Sequence, residues 1–197
     1  RRRILVTRMY EDGMSSDNIS VRYGTAQSLA ALAPIDSIKF VELYEKGIWD
    51  NDTDVRQITI RTLTALAPVD PDKFVKLYKE GINNEGRFIR SGTSRTLNVL
   101  ALISHNRFVE LVEEGISDGN RFVRSGTAET LTALAHINPD KFVRLVEKGI
   151  NNEDKFIRRE TAEALATLVS INPNKFIELY EKGMNDKKTE VRQKIAG

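Results

Sequence analysis

One interval of 34 residues runs through the whole chain and constrains its fold more than any other feature. Three positions keep this interval: a glycine, an apolar residue followed by arginine, and a phenylalanine. They are Gly13, Gly47, Gly81, Gly115, Gly149 and Gly183; Val21-Arg22, Val55-Arg56, Ile89-Arg90, Val123-Arg124, Ile157-Arg158 and Val191-Arg192; and Phe40, Phe74, Phe108, Phe142 and Phe176. A fixed period in this range is typical of a solenoid, whose repeats are too small to bury their own apolar faces and stack on one another.

Each repeat begins with the pattern of an amphipathic helix. In the copy that starts at Pro139, Asn138 precedes the proline, and this pair is typical of a helix start. Phe142 and Leu145 then fall on one face of the predicted helix. Gly149 is expected to end the helix in a left-handed conformation, which glycine adopts without strain. The first helix of the repeat should therefore run for about 10 residues.

A second helix is predicted after a short polar loop. Asp154 is placed to cap it, and apolar positions at Ile157, Leu165 and Leu168 lie on one side at a helical period of 3.6 residues. This helix should run for about 15 residues. The chain is therefore predicted to be all-α: a single right-handed α-solenoid domain, 1–197, of stacked antiparallel helix pairs with about 12 helices. Its repeats are approximately 1–36, 37–70, 71–104, 105–138, 139–172 and a truncated 173–197.

The start of the second helix resembles that of HEAT-like, armadillo-type repeats. An Asp or Asn three residues before the apolar-Arg pair is typical of those repeats, and it occurs here as Asn18, Asp52, Asn120 and Asp154. Tetratricopeptide repeats share the period but place their glycine inside the first helix. The resemblance implies a binding scaffold, and a ladder in which the Arg of one repeat pairs with the Asp of an adjacent one. Gly86 and Lys188 interrupt that pattern.

Composition and spacing offer no catalytic constellation. The chain has no cysteine and two histidines, His105 and His136, which lie at turns of different repeats, and its formal net charge is +2. We therefore predict a protein that is not an enzyme, without a cofactor or metal, not associated with membranes, and located in the cytoplasm.

The last copy stops before the two Leu positions that complete a second helix, so we expect a fragment of a longer array or end-to-end self-association.

The second helices are expected to carry the binding face, because they line the concave side in HEAT-like arrays. Phe88, Phe122 and Phe156 recur opposite the core stripe, and a glycine follows the first two of them after four residues. Three exposed aromatic rings in a row would be an apolar partner site. The alternative is that each ring folds over its own loop and joins the core.

Basic residues flank these rings, at Arg87, Arg121, Lys155 and Arg159. Interleaved basic and aromatic residues are typical of grooves that follow a nucleic-acid backbone. The outward positions of the second helices nevertheless carry more acids than arginines, and backbone neutralisation needs several uncompensated positive charges. Those positions are Arg61, Arg95 and Arg159 against Asp54, Glu129, Glu160 and Glu163. We therefore predict a protein or peptide partner, with nucleic acid as the alternative.

Overall fold

The computed structural model describes residues 2–196, which form two compact units, one ending at Val99 and the other beginning at Leu100. The regular elements of the described residues are all helices. The prediction of a single domain stays a prediction.

The unit that ends at Val99 contains three helix pairs. Each first helix packs against the second helix of its own pair, and the second helices pack side by side. The first helices are α1 (Arg2–Met14), α3 (Ser37–Ile48) and α5 (Pro71–Ile82), and the second helices are α2 (Ile19–Ser28), α4 (Thr53–Thr62) and α6 (Arg87–Thr96). Short 3-10 helices continue the second helices at Leu29–Leu32, Leu63–Leu66 and Leu97–Val99.

The unit that begins at Leu100 follows the same plan. Its first helices are α8 (His105–Ile116), α11 (Pro139–Ile150) and α13 (Pro173–Met184). The remaining helices are α7 (Leu100–Ile103), α9 (Arg121–Ala128), α10 (Leu131–Ile137), α12 (Lys155–Ile171) and α14 (Thr189–Ala196). The described residues thus form 14 α-helices where about 12 were expected, because the second helices of the third and fourth copies are interrupted.

Short-range capping starts most of these helices where the sequence predicts. The side chain of Asn138 accepts a hydrogen bond from the amide of Lys141, and Pro139 takes the first helical position. Asp154 accepts from the amide of Phe156 at the start of α12. Each cap satisfies an amide that has no partner within its helix, so the predicted helix starts are confirmed.

The recurring glycine has a different role from the one predicted. Gly149 is the penultimate residue of α11, and none of the described glycines has a positive φ, so the expected left-handed helix end is wrong. Instead, a Cβ atom on each of the first five recurring glycines would collide with a threonine in the following helix. For Gly81, that atom would lie 2.5 Å from Oγ1 and 2.6 Å from Cγ2 of Thr93. Glycine is therefore required for close helix packing, and its position does not distinguish these repeats from tetratricopeptide repeats.

A hydroxyl group decides whether the second helix is continuous. In the first four copies a Ser or Thr lies at or just after the end of the first segment of the second helix, and its hydroxyl donates to the carbonyl oxygen three residues earlier. Thr62, for example, donates to Thr59 at 2.7 Å. There the helix breaks or tightens to 3-10 geometry. In the fifth copy Ala164 occupies this position, and α12 runs unbroken for 17 residues. Such hydroxyl bonds compete with the backbone for helix carbonyls, which explains the difference.

The core runs along the predicted apolar stripe. Phe40 and Phe74 in the first unit and Phe108 and Phe142 in the second are fully buried, as are the leucines of the apolar stripe that follow the first segment of each second helix. Leu63, for example, is 0% exposed. Within the described residues, no helix has the length and apolar character needed to cross a membrane.

Candidate functional site

The recurring arginine of the second helices has a structural role. In each described copy its Nη1 donates to carbonyl oxygens of the loop that precedes its own helix. Arg158, for instance, donates to the carbonyl oxygens of Asn152 and Glu153 at 2.8 and 2.9 Å. The arginine thus closes the loop between two helices of one repeat, which supports the structural interpretation of this row over a ligand-binding one.

Some of these arginines also pair with an aspartate of the next copy within the same unit. Arg22 pairs with Asp50 at 2.8 Å, and Arg158 pairs with Asp186. Arg–Asp pairs thus join adjacent copies as expected, but these aspartates lie two residues before the Asp/Asn position of the repeat pattern, which is Asp52 in one case and Lys188 in the other. Arg124 instead pairs with a cap residue, Asp154, at 3.2 Å, and the position two residues before that cap is the uncharged Asn152.

The hydrogen bonds of these pairs lower the pKa of the partly buried Asp50 and Asp186. Burial of the Asp50 carboxyl raises its pKa, but hydrogen bonds from Arg22 and from the amide of Asp52 outweigh this effect and lower it. The pKa of Asp186 is lowered in the same way, by Arg158 and the amide of Lys188 against burial. These acids are therefore charged at neutral pH and contribute to the packing of adjacent copies.

A groove of about 500 Å³ lies between the outward faces of α4 and α6, entirely within the first unit. Phe88, which is 51% exposed, forms part of its wall. Its remaining lining is Gln57, Ile60, Arg61, Thr64, Ser91, Gly92, Arg95 and Thr96. At Gly92 a Cβ atom would lie 3.0 Å from Cγ2 of Ile60, so the absence of a side chain keeps the space between the two helices open.

Two arginines line the groove. Arg61 and Arg95 are exposed on neighbouring helices at the same repeat position, and none of the described residues that line the groove is acidic. Nη1 of Arg95 is held by Ser91, at 2.6 Å from its Oγ. The guanidinium of Arg87 lies 4.6 Å from the centre of the Phe88 ring, as in a cation–π contact. Aromatic and cationic groups therefore meet at this surface.

The second unit brings the other predicted aromatic residues together. Arg121 lies 4.8 Å from the ring centre of Phe122 and 5.3 Å from that of Phe156, and both rings are half-buried. Lys155 and Arg159 also lie over Phe156, at 5.2 and 5.6 Å.

Two of these cations are neutralised by acids. Lys155 pairs with Glu190 at 3.2 Å, and Arg159 pairs with the buried Glu160. This cluster therefore carries less free positive charge than its sequence suggests.

The predicted binding residues thus fall in two places: Arg87 and Phe88 in the first unit, and the other five in the second. A continuous row of three rings stays a prediction. Analysis of the sequence did not assign Ile60 and Thr64 to the site. A signal for them was present, because Gln57, Ile60, Arg61 and Thr64 follow the i, i+3, i+4, i+7 pattern of one helix face.

No protein-family model matches the sequence, and neither does any curated protein. Solved structures do match the fold. The protein smu.31 from Streptococcus mutans UA159 aligns with a TM-score of 0.63 and 13% identity, over 100% of this chain and 96% of that one. AlkD2 from Streptococcus mutans gives 0.62 and 13% over the same shares. The karyopherin Kap121p, bound to the extreme C-terminus of the protein phosphatase Cdc14p, gives 0.64 and 15% over 99% of this chain and 23% of the karyopherin.

The fold is that of the armadillo and HEAT-like helical repeats. The predicted all-α helical repeat architecture is confirmed. At these identities the likeness concerns the fold alone, and HEAT-like folds carry many functions. The function must therefore be argued from the groove and its side chains.

Proposed function

We propose that this HEAT-like chain is a non-enzymatic scaffold that binds a protein or peptide segment across its second helices, with the groove between α4 and α6 as the docking site. The observation that carries the proposal is the half-exposed ring of Phe88 at the wall of a groove that also holds Arg61 and Arg95. Aromatic residues and arginine are enriched at protein interfaces, where a few residues carry most of the binding energy.

The dimensions of the groove support this proposal. Its volume of about 500 Å³ accommodates one or two side chains and lies within the range of ligand sites in proteins. Kap121p, which shares the fold, is bound to the C-terminal end of another protein in its crystal structure. A polypeptide segment is therefore an occupant that suits both the groove and the fold.

The side chains that line the groove favour binding over catalysis. Among the described lining residues there is arginine, glutamine, serine and threonine, but no histidine, cysteine or carboxylate to act as a general base. A nucleophilic hydroxyl such as that of Ser91 needs such a base nearby. We therefore propose that the scaffold binds its partner without transforming it.

The experiment compares two exposed aromatic residues. Peptides selected from a random dodecapeptide library on the full chain would be measured by fluorescence anisotropy against Phe88→Ala and Trp49→Ala. Trp49 is 64% exposed in a loop between helices, outside the groove, and is the matched control. We expect Phe88→Ala to weaken binding at least about tenfold, as for an interface hot spot, and Trp49→Ala to leave it unchanged. Equal affinities of all three proteins would contradict the site, and selection of no peptide would contradict the function.

Nucleic-acid binding is the second candidate, and one observation favours it. Arg121 lies over both Phe122 and Phe156, and among residues 2–196 no acid is seen paired with it. Base stacking beside such a cation is how single strands are held. Binding of a fluorescent oligothymidine would be measured from low to high salt: a steep salt slope that Arg121→Ala reduces would support this candidate, and absent or salt-insensitive binding would remove it.

A further inference from the structure

We infer that the groove between α4 and α6 recognises an extended peptide that presents an apolar side chain next to a carboxylate. The inference rests on the proposed function and names the chemistry of its partner. Three features of the first unit carry it: the side chain of Arg61, an apolar pocket, and a second depression that continues the groove.

Arg61 provides a carboxylate site, and Arg95 lies beside it. Arg61 and Arg95 occupy equivalent positions on adjacent helices, and both line the groove. Among the described residues, no hydrogen bond or ion pair engages the side chain of Arg61. Arg95 is oriented by Ser91, whose Oγ and carbonyl oxygen accept from its Nη1 at 2.6 and 3.2 Å. A guanidinium presents several donors in a fixed plane, so two of them can hold both oxygens of a carboxylate.

The apolar pocket lies beside these arginines. Ile60 is 2% exposed and forms the floor, and the ring of Phe88 forms a wall. Gly92 keeps the space above this floor open, because a Cβ atom there would lie 3.0 Å from Cγ2 of Ile60. An apolar side chain of the partner can therefore enter beside Gly92 and contact the exposed ring of Phe88 while its neighbouring carboxylate reaches Arg61. Burial of such a side chain supplies affinity, and the arginines supply charge selectivity.

A shallower depression continues the groove towards α2. It is lined by Tyr23, Asp54, Gln57, Ile58 and Arg61, and it shares Gln57 and Arg61 with the main groove. Packed helices lie about 8–10 Å apart, and an extended chain advances about 3.3–3.6 Å per residue. The two depressions are therefore about three residues of peptide apart. Asp54 makes the second one suited to a basic or hydrogen-donating residue.

The test is the composition of selected peptides. A random dodecapeptide library would be displayed in two arms, one with a free C-terminus and one with a blocked C-terminus. Each arm would be selected on three proteins: the full chain, the double variant Arg61→Glu, Arg95→Glu, and the matched double variant Arg8→Glu, Arg144→Glu. Arg8 and Arg144 are exposed on first helices and do not line the groove, so this control carries the same change in net charge.

We expect peptides with Asp or Glu beside Leu, Ile, Met or Phe, and a basic or polar residue about three positions away. The charge reversal in the groove should exchange the acid for Lys or Arg and weaken the original peptides at least about tenfold, while the control leaves both unchanged. Enrichment only in the arm with a free C-terminus would identify the chain terminus as the source of the carboxylate. Enrichment in both arms would identify Asp or Glu side chains.

The outcomes separate the inference from the proposed function. Selected peptides that lose affinity with Phe88→Ala but carry no acid would overturn the inference and leave the docking site standing. Peptides whose affinity does not respond to Phe88→Ala would overturn both. Equal weakening by the two double variants would show a general charge effect, and this result would overturn the carboxylate site.

Discussion

Replacement of Gly81 by alanine tests the tight packing between the two helices of a repeat. Because Gly81 lies in α5 with a right-handed backbone, helix propensity alone predicts that alanine stabilises the protein by about 1 kcal/mol. The structure predicts the opposite sign. The added Cβ would lie 2.5, 2.6 and 3.0 Å from Oγ1, Cγ2 and Cβ of Thr93, which is fully buried.

The size of the effect follows from these contacts. Overpacking a core costs about 1–3 kcal/mol, and three contacts at or below 3.0 Å on one side chain place Gly81→Ala at the upper end. After the gain in helix propensity, we expect a net loss of about 2 kcal/mol in the free energy of unfolding. For a chain of this length, the loss lowers the melting temperature by about 4–8 °C. Urea denaturation and calorimetry would measure both quantities.

Two variants make the reasoning refutable. At Gly24, an added Cβ would meet no atom within 4 Å, so Gly24→Ala should stabilise the protein by up to about 1 kcal/mol. In the double variant Gly81→Ala, Thr93→Ala, the two closest atoms are removed, and we expect a coupling energy of about 2 kcal/mol that favours the pair. If Gly81→Ala stabilises the chain as Gly24→Ala does, the steric explanation of the recurring glycine is refuted.

Three further predictions concern the arginine row and the only tryptophan. Arg158→Ala should lower the free energy of unfolding in urea by about 2–3 kcal/mol, because it removes the guanidinium that pairs with Asp186 and donates to two loop carbonyls, and Arg158→Lys should restore little of this loss. The pKa of Asp50 is lowered in the folded state, so the stabilisation that its carboxylate gives is present above about pH 4 and is lost as the pH falls through the folded pKa. Asp50→Asn should therefore reduce the dependence of the melting temperature on pH in this acidic range. Trp49 should show the red-shifted emission of an exposed indole, unchanged by peptide.

The helix starts and the core stripe could be predicted from the sequence because their signals are local. A cap such as Asn138 bonds an amide three residues away, and Phe142 is buried at a position that the helical period alone assigns. The exposure of Phe88 could not be predicted, because the equivalent Phe122 and Phe156 are half-buried. Among the described contacts, three cations lie around Phe156 and one over Phe88, so the surroundings of each ring are set by neighbours that the repeat position does not specify.

By itself, the sequence determined the repeat, its two helices and their caps, since each depends on residues a few positions apart. Only the tertiary structure showed that Gly81 faces Thr93 and that the arginine row closes loops. It also showed that Ile60 and Gly92, 32 residues apart, form the floor of one groove. These features are contacts between different helices, and their geometry depends on how closely the helices pack. A periodic sequence shows that such contacts recur, but the distances that give them their roles arise only when the helices are assembled.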